Sequence, residues 1–161
     1  MSDGLSPTPA YTDVSAYLTL HDAAAALDWY QRAFDARLGQ LLQVPGGPIA
    51  YAELFFGNHR VLVCEEADMF QTKGPKTYEG SPVLMHVYVS DADALCERAV
   101  REGAQWVKQV EDQFFGDRAG TIRDPYGYSW IIATKVRDMT HEEVQAVWYQ
   151  MMNDMMGGSP E

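Results

Sequence analysis

Tyrosine, carboxylate and histidine side chains recur at alternating positions in several strand-like segments of this sequence. The rings of Tyr17, Tyr51 and Tyr88 could stack on a planar or cationic guest, and Glu53 or Glu65 could pair with its charge. An aromatic surface with a few polar groups is the usual lining of a small-molecule cleft. The ligand-binding residues predicted on one face of the strands are Ser15, Tyr17, Tyr51, Glu53, Phe55, Glu65, His86 and Tyr88.

A second group of candidate residues lies in residues 112–134, DQFFGDRAGTIRDPYGYSWIIAT. Phe114 and Phe115 are expected at the rim of the cleft, where they would touch ligand or a partner chain. The adjacent Asp117 and Arg118 favour a local salt bridge that holds a loop. The Pro-Gly turn that follows predicts a hairpin.

Catalytic chemistry has less support in the sequence. There is no glycine-rich phosphate loop and no G-x-S-x-G motif. Cys64 and Cys96 are expected to be buried free thiols. A general acid-base step by His86 with Glu53 or Glu65 stays open, because burial could tune the pKa of these groups.

The elements that must position these side chains follow from hydrophobic periodicity. Alternating apolar residues predict strands, and apolar residues at helical spacing after a capping Asp22 or Asp91 predict helices. The predicted strands are 14–20, 37–44, 49–56, 60–65, 83–89, 105–111, 119–124 and 128–134, and the predicted helices are 23–34, 91–104 and 141–156.

The order βαβββ therefore occurs twice. Asp22 matches Asp91 at an interval of 69 residues, and Gly57 matches Gly127 at an interval of 70. The predicted organisation is a flexible tail (1–12), a first module (13–67), a linker (68–82), a second module (83–137), and a C-terminal amphipathic helix with its tail (138–161).

Side-chain alternation also divides each predicted sheet into two faces. Leu62, Cys64 and Trp130 fall in the apolar set that is expected to pack under the helices. Val61 and Val63 fall with the tyrosines on the opposite face.

The duplicated unit, with HDAAAALDWYQRAFDARLG after the first strand and DPYGYSW before the last, resembles the vicinal oxygen chelate superfamily. That group includes glyoxalase I, extradiol dioxygenases and bleomycin-resistance proteins. SPVLMHVYVSDADAL and FFGDRAGTIRDPYGYSW are most similar to its PhnB-like branch. The resemblance implies an α+β fold whose tandem βαβββ modules form a cup-shaped mixed sheet with the helices on the outside.

The resemblance also implies where a metal would bind. Metal-dependent members hold a divalent cation with four strand side chains, and the corresponding positions here are Ser15, Val61, Leu84 and Ile131. Three of these lack a donor atom, so neither a metal nor another cofactor is expected. If the metal ligands instead lay at positions shifted along the strands, the candidate ligands would be Glu53, Glu65 and His86.

Composition limits the partners and the location. The net charge of -11 repels nucleic acid and anionic lipid, so neither is expected to bind. No long apolar run and no signal sequence is visible, which favours the cytoplasm. Strand edges and the methionine-rich C-terminal stripe predict a homodimer.

Together these features favour metal-independent binding of a small aromatic or cationic molecule, by a carrier, sequestering or antibiotic-resistance protein. The alternative is a metal-dependent lyase or dioxygenase that uses a shifted ligand set including His86.

Overall fold

The computed structural model describes residues 14–157, so the predicted tail over 1–12 lies outside the described residues. The chain divides into two compact units, the first ending at Thr77 and the second beginning at Tyr78. The finer module boundaries remain predictions. No helix among the described residues is both long and apolar enough to cross a membrane.

The first unit has the order βαβββ. Its sheet is arranged β1-β4-β3-β2, with β1 parallel to β4 and the other pairs antiparallel. The elements are β1 (Tyr17–Leu20), α1 (Ala23–Phe34), β2 (Arg37–Gln43), β3 (Ile49–Phe56) and β4 (His59–Glu65).

Helix α1 begins at a capped end, since the Asp22 carboxylate accepts a hydrogen bond from the amide of Ala25. It ends at Asp35, whose φ of 55° places it in the left-handed region. The rings of Tyr30 and Phe34 lie 6.0 and 5.7 Å from the ring of Phe56 in β3, so α1 covers the face of the sheet that carries Phe56.

The second unit repeats the order and adds a helix. Its sheet is arranged β5-β8-β7-β6, again with the first and last strands of the module parallel. The elements are β5 (Leu84–Tyr88), α2 (Ala92–Arg101), β6 (Gln105–Asp112), β7 (Asp117–Arg123), β8 (Ser129–Lys135) and α3 (His141–Met155).

The predicted α+β fold with tandem βαβββ modules is confirmed, and every predicted strand and helix is present with shifts of a few residues at its ends. A short 3-10 helix at Asp68–Phe70, in the predicted linker, was not foreseen. That the two sheets form a cup remains a prediction.

The predicted faces of β4 were wrong. Tyr17 of β1 pairs with Leu62, and alternation then places Cys64 on the face of Tyr17 as well. Val61 and Val63 lie on the opposite face, under α1, and both are buried. The predicted assignment had these two pairs exchanged.

The faces of β4 were assigned wrongly because the 70-residue interval between the turn glycines was applied to the strand. Tyr17 pairs with Leu62 and His86 pairs with Ile131, so the first and the last strands of both modules repeat at the same interval of 69 residues. The turn before β4 comprises residues 57–58, whereas that before β8 comprises residues 124–128. Because the turns differ in length, the interval of 70 between their glycines does not apply to the strands.

Candidate functional site

Each sheet has one face covered by its helix and one opposite face, here called the distal face. In the first unit the distal face carries Tyr17, Thr19, Tyr51, Glu53, Phe55, Arg60, Leu62 and Cys64. In the second unit it carries Leu84, His86, Tyr88, Asp117, Thr121, Ile131 and Lys135. The strand register thus brings most of the predicted ligand-binding residues onto the distal faces, within their own units.

Glu53 lies at the centre of the first distal face and is only 3% exposed. Its Oε1 accepts hydrogen bonds from the Tyr51 hydroxyl at 2.9 Å and the Arg60 guanidinium at 3.1 Å. Its Oε2 accepts from the amide of Gln40 at 3.2 Å. Burial alone would raise the pKa of Glu53, yet these hydrogen bonds and the charge of Arg60 hold that pKa below its ordinary value. Glu53 is therefore an internally paired carboxylate and not a free one that awaits a cationic guest.

Tyr17 supplies the accessible aromatic surface of this face, with 48% of the residue exposed. Its ring lies 6.4 Å from that of Tyr51, and its hydroxyl donates to the carbonyl oxygen of Ala50 at 3.3 Å. Burial and the nearby Cys64 raise the pKa of Tyr17, so the phenol is neutral at physiological pH. On the same face, the guanidinium carbon of Arg37 lies 4.3 Å from the ring centroid of Phe55.

Asp117 occupies a comparable place on the second distal face and is 1% exposed. Its Oδ2 accepts a 2.6 Å hydrogen bond from the Tyr88 hydroxyl, and Lys135 Nζ lies 2.5 Å from its Oδ1. Burial acts to raise the pKa of Asp117, but the contacts from Lys135 and Tyr88 outweigh it, and the pKa is lowered. The charge of this buried carboxylate is thus neutralised within the unit.

Tyr88 and His86 form an aromatic pair beside this carboxylate. Their ring centroids are 4.8 Å apart, and Lys135 Nζ lies 5.8 Å from the centre of the Tyr88 ring. Tyr88 is 56% exposed. It also borders an open depression of about 590 Å³ whose lining is Tyr88, Val89, Ser90, Thr134 and Lys135.

The expected salt bridge between Asp117 and Arg118 is not formed. Both residues belong to β7, where neighbouring side chains point to opposite faces. Arg118 makes a bidentate pair with Asp93 of α2, both bonds being 2.7 Å long, and contacts Asp112 at 3.0 Å. Arg118 therefore ties β7 to α2 on the covered face, and Asp117 bonds Tyr88 of β5 on the distal face.

Phe114 and Phe115 lie in the turn between β6 and β7, with their rings 5.1 Å apart. Phe114 stacks on Trp148 of α3 at 5.6 Å, with an angle of 29° between the rings. The described contact of Phe114 is thus with a helix of its own unit. A role of either residue in ligand binding remains a prediction.

Two further predicted residues lie apart from the distal-face cluster. Glu65 is the last residue of β4 and lies on the same face of the sheet as Val63. Its Oε2 accepts a hydrogen bond from the amide of Ile49 at 3.0 Å. Its predicted place beside the tyrosines was therefore wrong. Ser15 lies two residues before β1 and is half-buried.

The DPYGYSW segment has a structural role that the sequence only partly revealed. Trp130 is buried, as predicted, and its indole Nε1 donates to the buried carboxylate of Asp124 at 2.8 Å. The same carboxylate accepts from the amides of Tyr126 and Tyr128 at 3.0 and 2.9 Å. The segment is therefore a turn organised around Asp124, which aligns β7 with β8.

Residues 14–132 match the Glyoxalase/Bleomycin resistance protein/Dioxygenase superfamily over most of the chain. The chain belongs to this superfamily. The resemblance to the vicinal oxygen chelate group is thereby confirmed, and the duplicated βαβββ order agrees with it.

Three relatives are similar over at least three quarters of this chain. The uncharacterized protein Rv0887c of Mycobacterium tuberculosis is 36% identical over 138 residues, which is 83% of this chain and 80% of the relative. The crystal structure of TioX from Micromonospora sp. ML1 is 27% identical, with a TM-score of 0.59 over 80% of this chain and 100% of TioX. A PhnB protein from Bacillus cereus shares the fold, with a TM-score of 0.59 over 76% of this chain and 98% of that protein, at 13% identity.

The residues of this superfamily member do not fit a divalent cation at the positions implied by the resemblance. Leu84 and Ile131 offer hydrocarbon, and Ser15 offers a single hydroxyl. On β4 the distal-face position is held by Leu62 and not Val61, which again provides no donor atom. Divalent cations require nitrogen, oxygen or sulfur ligands, so this set cannot form a coordination shell.

Two members of the shifted set are already engaged within the first unit. Glu53 is bound to Arg60 and Tyr51, and Glu65 accepts a hydrogen bond from the Ile49 amide. Among residues 14–157, no three His, Cys, Asp or Glu side chains are grouped so that they could hold a metal ion.

Proposed function

We propose that this superfamily member is a metal-independent small-molecule binding protein whose guest is aromatic. In this proposal it acts as a carrier, a sequestering protein or an antibiotic-resistance protein. The supporting observation is that the distal faces combine accessible tyrosine rings with buried carboxylates that are already neutralised inside the protein.

Ring stacking would supply most of the binding free energy. Aromatic side chains bury large apolar areas, and offset or edge-on ring pairs add roughly 0.5–1.5 kcal/mol beyond that burial. Tyr17 and Tyr88 are exposed on their distal faces, and each has a second ring, of Tyr51 or His86, beside it. A planar guest would therefore meet a paired aromatic surface.

A positive charge on the guest is compatible with this proposal but is not required. The net charge of -11 attracts cations over long range. At short range Arg60 and Lys135 have already paired with Glu53 and Asp117. Neutral aromatic guests should therefore bind about as well as their cationic analogues.

Thermal-shift measurements with neutral naphthalene derivatives and planar quinolinium compounds test this function, because a ligand of the folded state raises the melting temperature. The panel is run on the natural protein, on Tyr17→Ala and on Tyr88→Ala, each compared with its own unliganded melting temperature. Tyr149→Ala, which removes an exposed tyrosine of α3, is the matched control. Shifts that survive in chelator and in the control, and decrease in the two distal-face variants, support the proposal. Equal shifts in all variants, or no shift with any compound, contradict it.

We also propose that the protein works as a homodimer in the cytoplasm. The basis is the stripe of partly exposed Val147, Trp148, Met151 and Met155 on α3, together with the edge strands of both sheets. Light scattering on the natural protein and on Met151→Glu tests the dimer. A dimeric natural protein and a monomeric variant are expected, and a monomeric natural protein contradicts this part of the proposal.

A further inference from the structure

The hydroxyl protons of two exposed distal-face tyrosines are already committed to acceptors within the protein. Tyr17 Oη lies 3.3 Å from the carbonyl oxygen of Ala50, and Tyr88 Oη lies 2.6 Å from the carboxylate of Asp117. A carbonyl oxygen and an ionised carboxylate can only accept hydrogen bonds. In both pairs the phenol must therefore be the donor.

A phenol that has donated its single proton can offer a guest only the lone pairs of its oxygen. Donation to a carboxylate also polarises the hydroxyl group, so that its oxygen becomes a stronger acceptor. This effect should be larger for Tyr88, whose partner is charged, than for Tyr17, whose partner is a carbonyl group. Both distal faces thus present fixed acceptors beside accessible rings.

The buried carboxylate cannot replace the phenol as the recognising group. Asp117 is 1% exposed, whereas Tyr88 is 56% exposed and its bond to Asp117 is only partly buried, so a guest would contact Tyr88 and not the carboxylate. Lys135 keeps the carboxylate charged by lying 2.5 Å from Oδ1. The hydrogen bond to Asp117 and burial raise the pKa of Tyr88, which keeps its proton in place at neutral pH.

We propose, building on the binding function above, that the distal faces select aromatic guests that carry N–H or O–H hydrogen-bond donors. Phenols, indoles, anilines and aromatic amides belong to this class. Aromatic molecules whose polar atoms are only acceptors, such as aryl ethers and tertiary amides, are discriminated against. Their oxygen atoms would face lone pairs of Tyr88 or Tyr17, and their loss of hydration would not be compensated.

Matched neutral probes test this selection by isothermal titration calorimetry. 2-Naphthol supplies a donor, 2-methoxynaphthalene replaces that donor by an acceptor, and naphthalene carries neither. The natural protein is expected to bind 2-naphthol roughly three- to tenfold more tightly than the other two, which is the range that one hydrogen bond provides. Indole and 1-methylindole form a second pair, for which the same order is expected.

Conservative variants assign the preference to the phenol oxygens. Tyr88→Phe retains the ring and should reduce the preference for 2-naphthol to less than twofold, while the affinity for naphthalene changes little. Tyr17→Phe, whose partner is a backbone carbonyl, serves as the second variant in case the loss of the Asp117 contact unfolds Tyr88→Phe. A preference that persists in a folded protein in which both Tyr17 and Tyr88 are replaced by phenylalanine overturns the proposal.

The outcomes separate this inference from the function on which it rests. Equal binding of 2-naphthol, 2-methoxynaphthalene and naphthalene to the natural protein refutes donor selection, but leaves aromatic binding intact. Absence of binding by every probe refutes both. A donor preference that is lost on Tyr88→Phe or Tyr17→Phe supports both.

Discussion

Tyr88 and Asp117 are 29 residues apart in the chain, yet the Tyr88 hydroxyl lies 2.6 Å from a carboxylate oxygen of Asp117 on the second distal face. This bond joins the end of β5 to the start of β7, two strands that are separated by β8 in the sheet. It fixes the orientation of an accessible ring and commits its proton. The relationship therefore links the stability of the second unit to the proposed recognition of guests.

Asp117→Asn should lower the free energy of unfolding by roughly 1–3 kcal/mol at neutral pH, because it leaves the contacts of Tyr88 and Lys135 with a neutral partner. The pKa of Asp117 is lower in the folded protein than its ordinary value. The stabilisation by its charge is therefore complete above the unfolded pKa of about 4, and is lost as the pH falls through the folded pKa. Urea unfolding over a pH series measures the difference.

Asp68→Asn, at an exposed position that takes part in neither contact of Asp117, is the control for that series and should change stability little. The gap between the natural protein and Asp117→Asn should be constant above about pH 5 and decrease below it. A gap that is the same in acid as at neutral pH would show that the carboxylate charge does not stabilise the fold.

Glu53 and Arg60 should show a large coupling energy in a double-mutant cycle. The pair is buried and shares a hydrogen-bond network with Tyr51, so Glu53→Gln and Arg60→Met should each be destabilising and clearly non-additive, with a coupling of roughly 1–3 kcal/mol. The exposed pair Asp28 and Arg32 of α1 is the matched control, with a coupling below about 0.5 kcal/mol. Additive effects at Glu53 and Arg60 would contradict their assignment as an internal pair.

Asp124→Ala should destabilise the second unit by roughly 2–4 kcal/mol, because two buried amides and the Trp130 indole lose their acceptor. Hydrogen exchange of the Trp130 indole N–H, followed by NMR, measures the contact directly. Exchange should be slow in the natural protein and much faster in the variant. An unchanged exchange rate would refute the role of Asp124 as the centre of the turn.

The stacking of Phe114 on Trp148 should hold α3 on the second unit. Phe114→Ala is expected to increase backbone hydrogen exchange throughout α3, because no residue of this helix is fully buried and few other contacts restrain it. Phe115→Ala, which leaves the Trp148 stack in place, is the control. Equal exchange in both variants would mean that α3 is held in another way.

Most of the fold could be predicted from local pattern. The alternation in residues 49–56 and the capping aspartates at 22 and 91 gave the strand Ile49–Phe56 and the starts of both helices correctly. The phase of β4 could not be obtained from the repeat, because the corresponding turns differ in length. The two-residue turn at 57–58 fixes which residues of β4 share a face with those of β3, because it places Phe56 opposite His59.

The distal faces were less predictable than the fold. Tyr17, Tyr51 and Tyr88 were identified by alternation, but the pairing of Glu53 with Arg60 depends on the hairpin register of β3 and β4. The sequence predicts Asp117 in a local salt bridge that holds a loop, but its partners are distant in sequence, so no local pattern could indicate its bond to Tyr88. Whether the carboxylates of Glu53 and Asp117 are free to meet a guest thus depends on contacts between residues that are distant in sequence.

The proposed function requires that aromatic guests bind without a metal. Calorimetric titration of 2-naphthol into chelator-treated protein, with the metal content measured on the same sample, tests this requirement. We expect an unchanged dissociation constant, far less than one metal ion per chain, and no effect of added zinc, nickel, manganese or iron. Binding that is lost in chelator, restored by one of these ions and abolished in His86→Ala would contradict it.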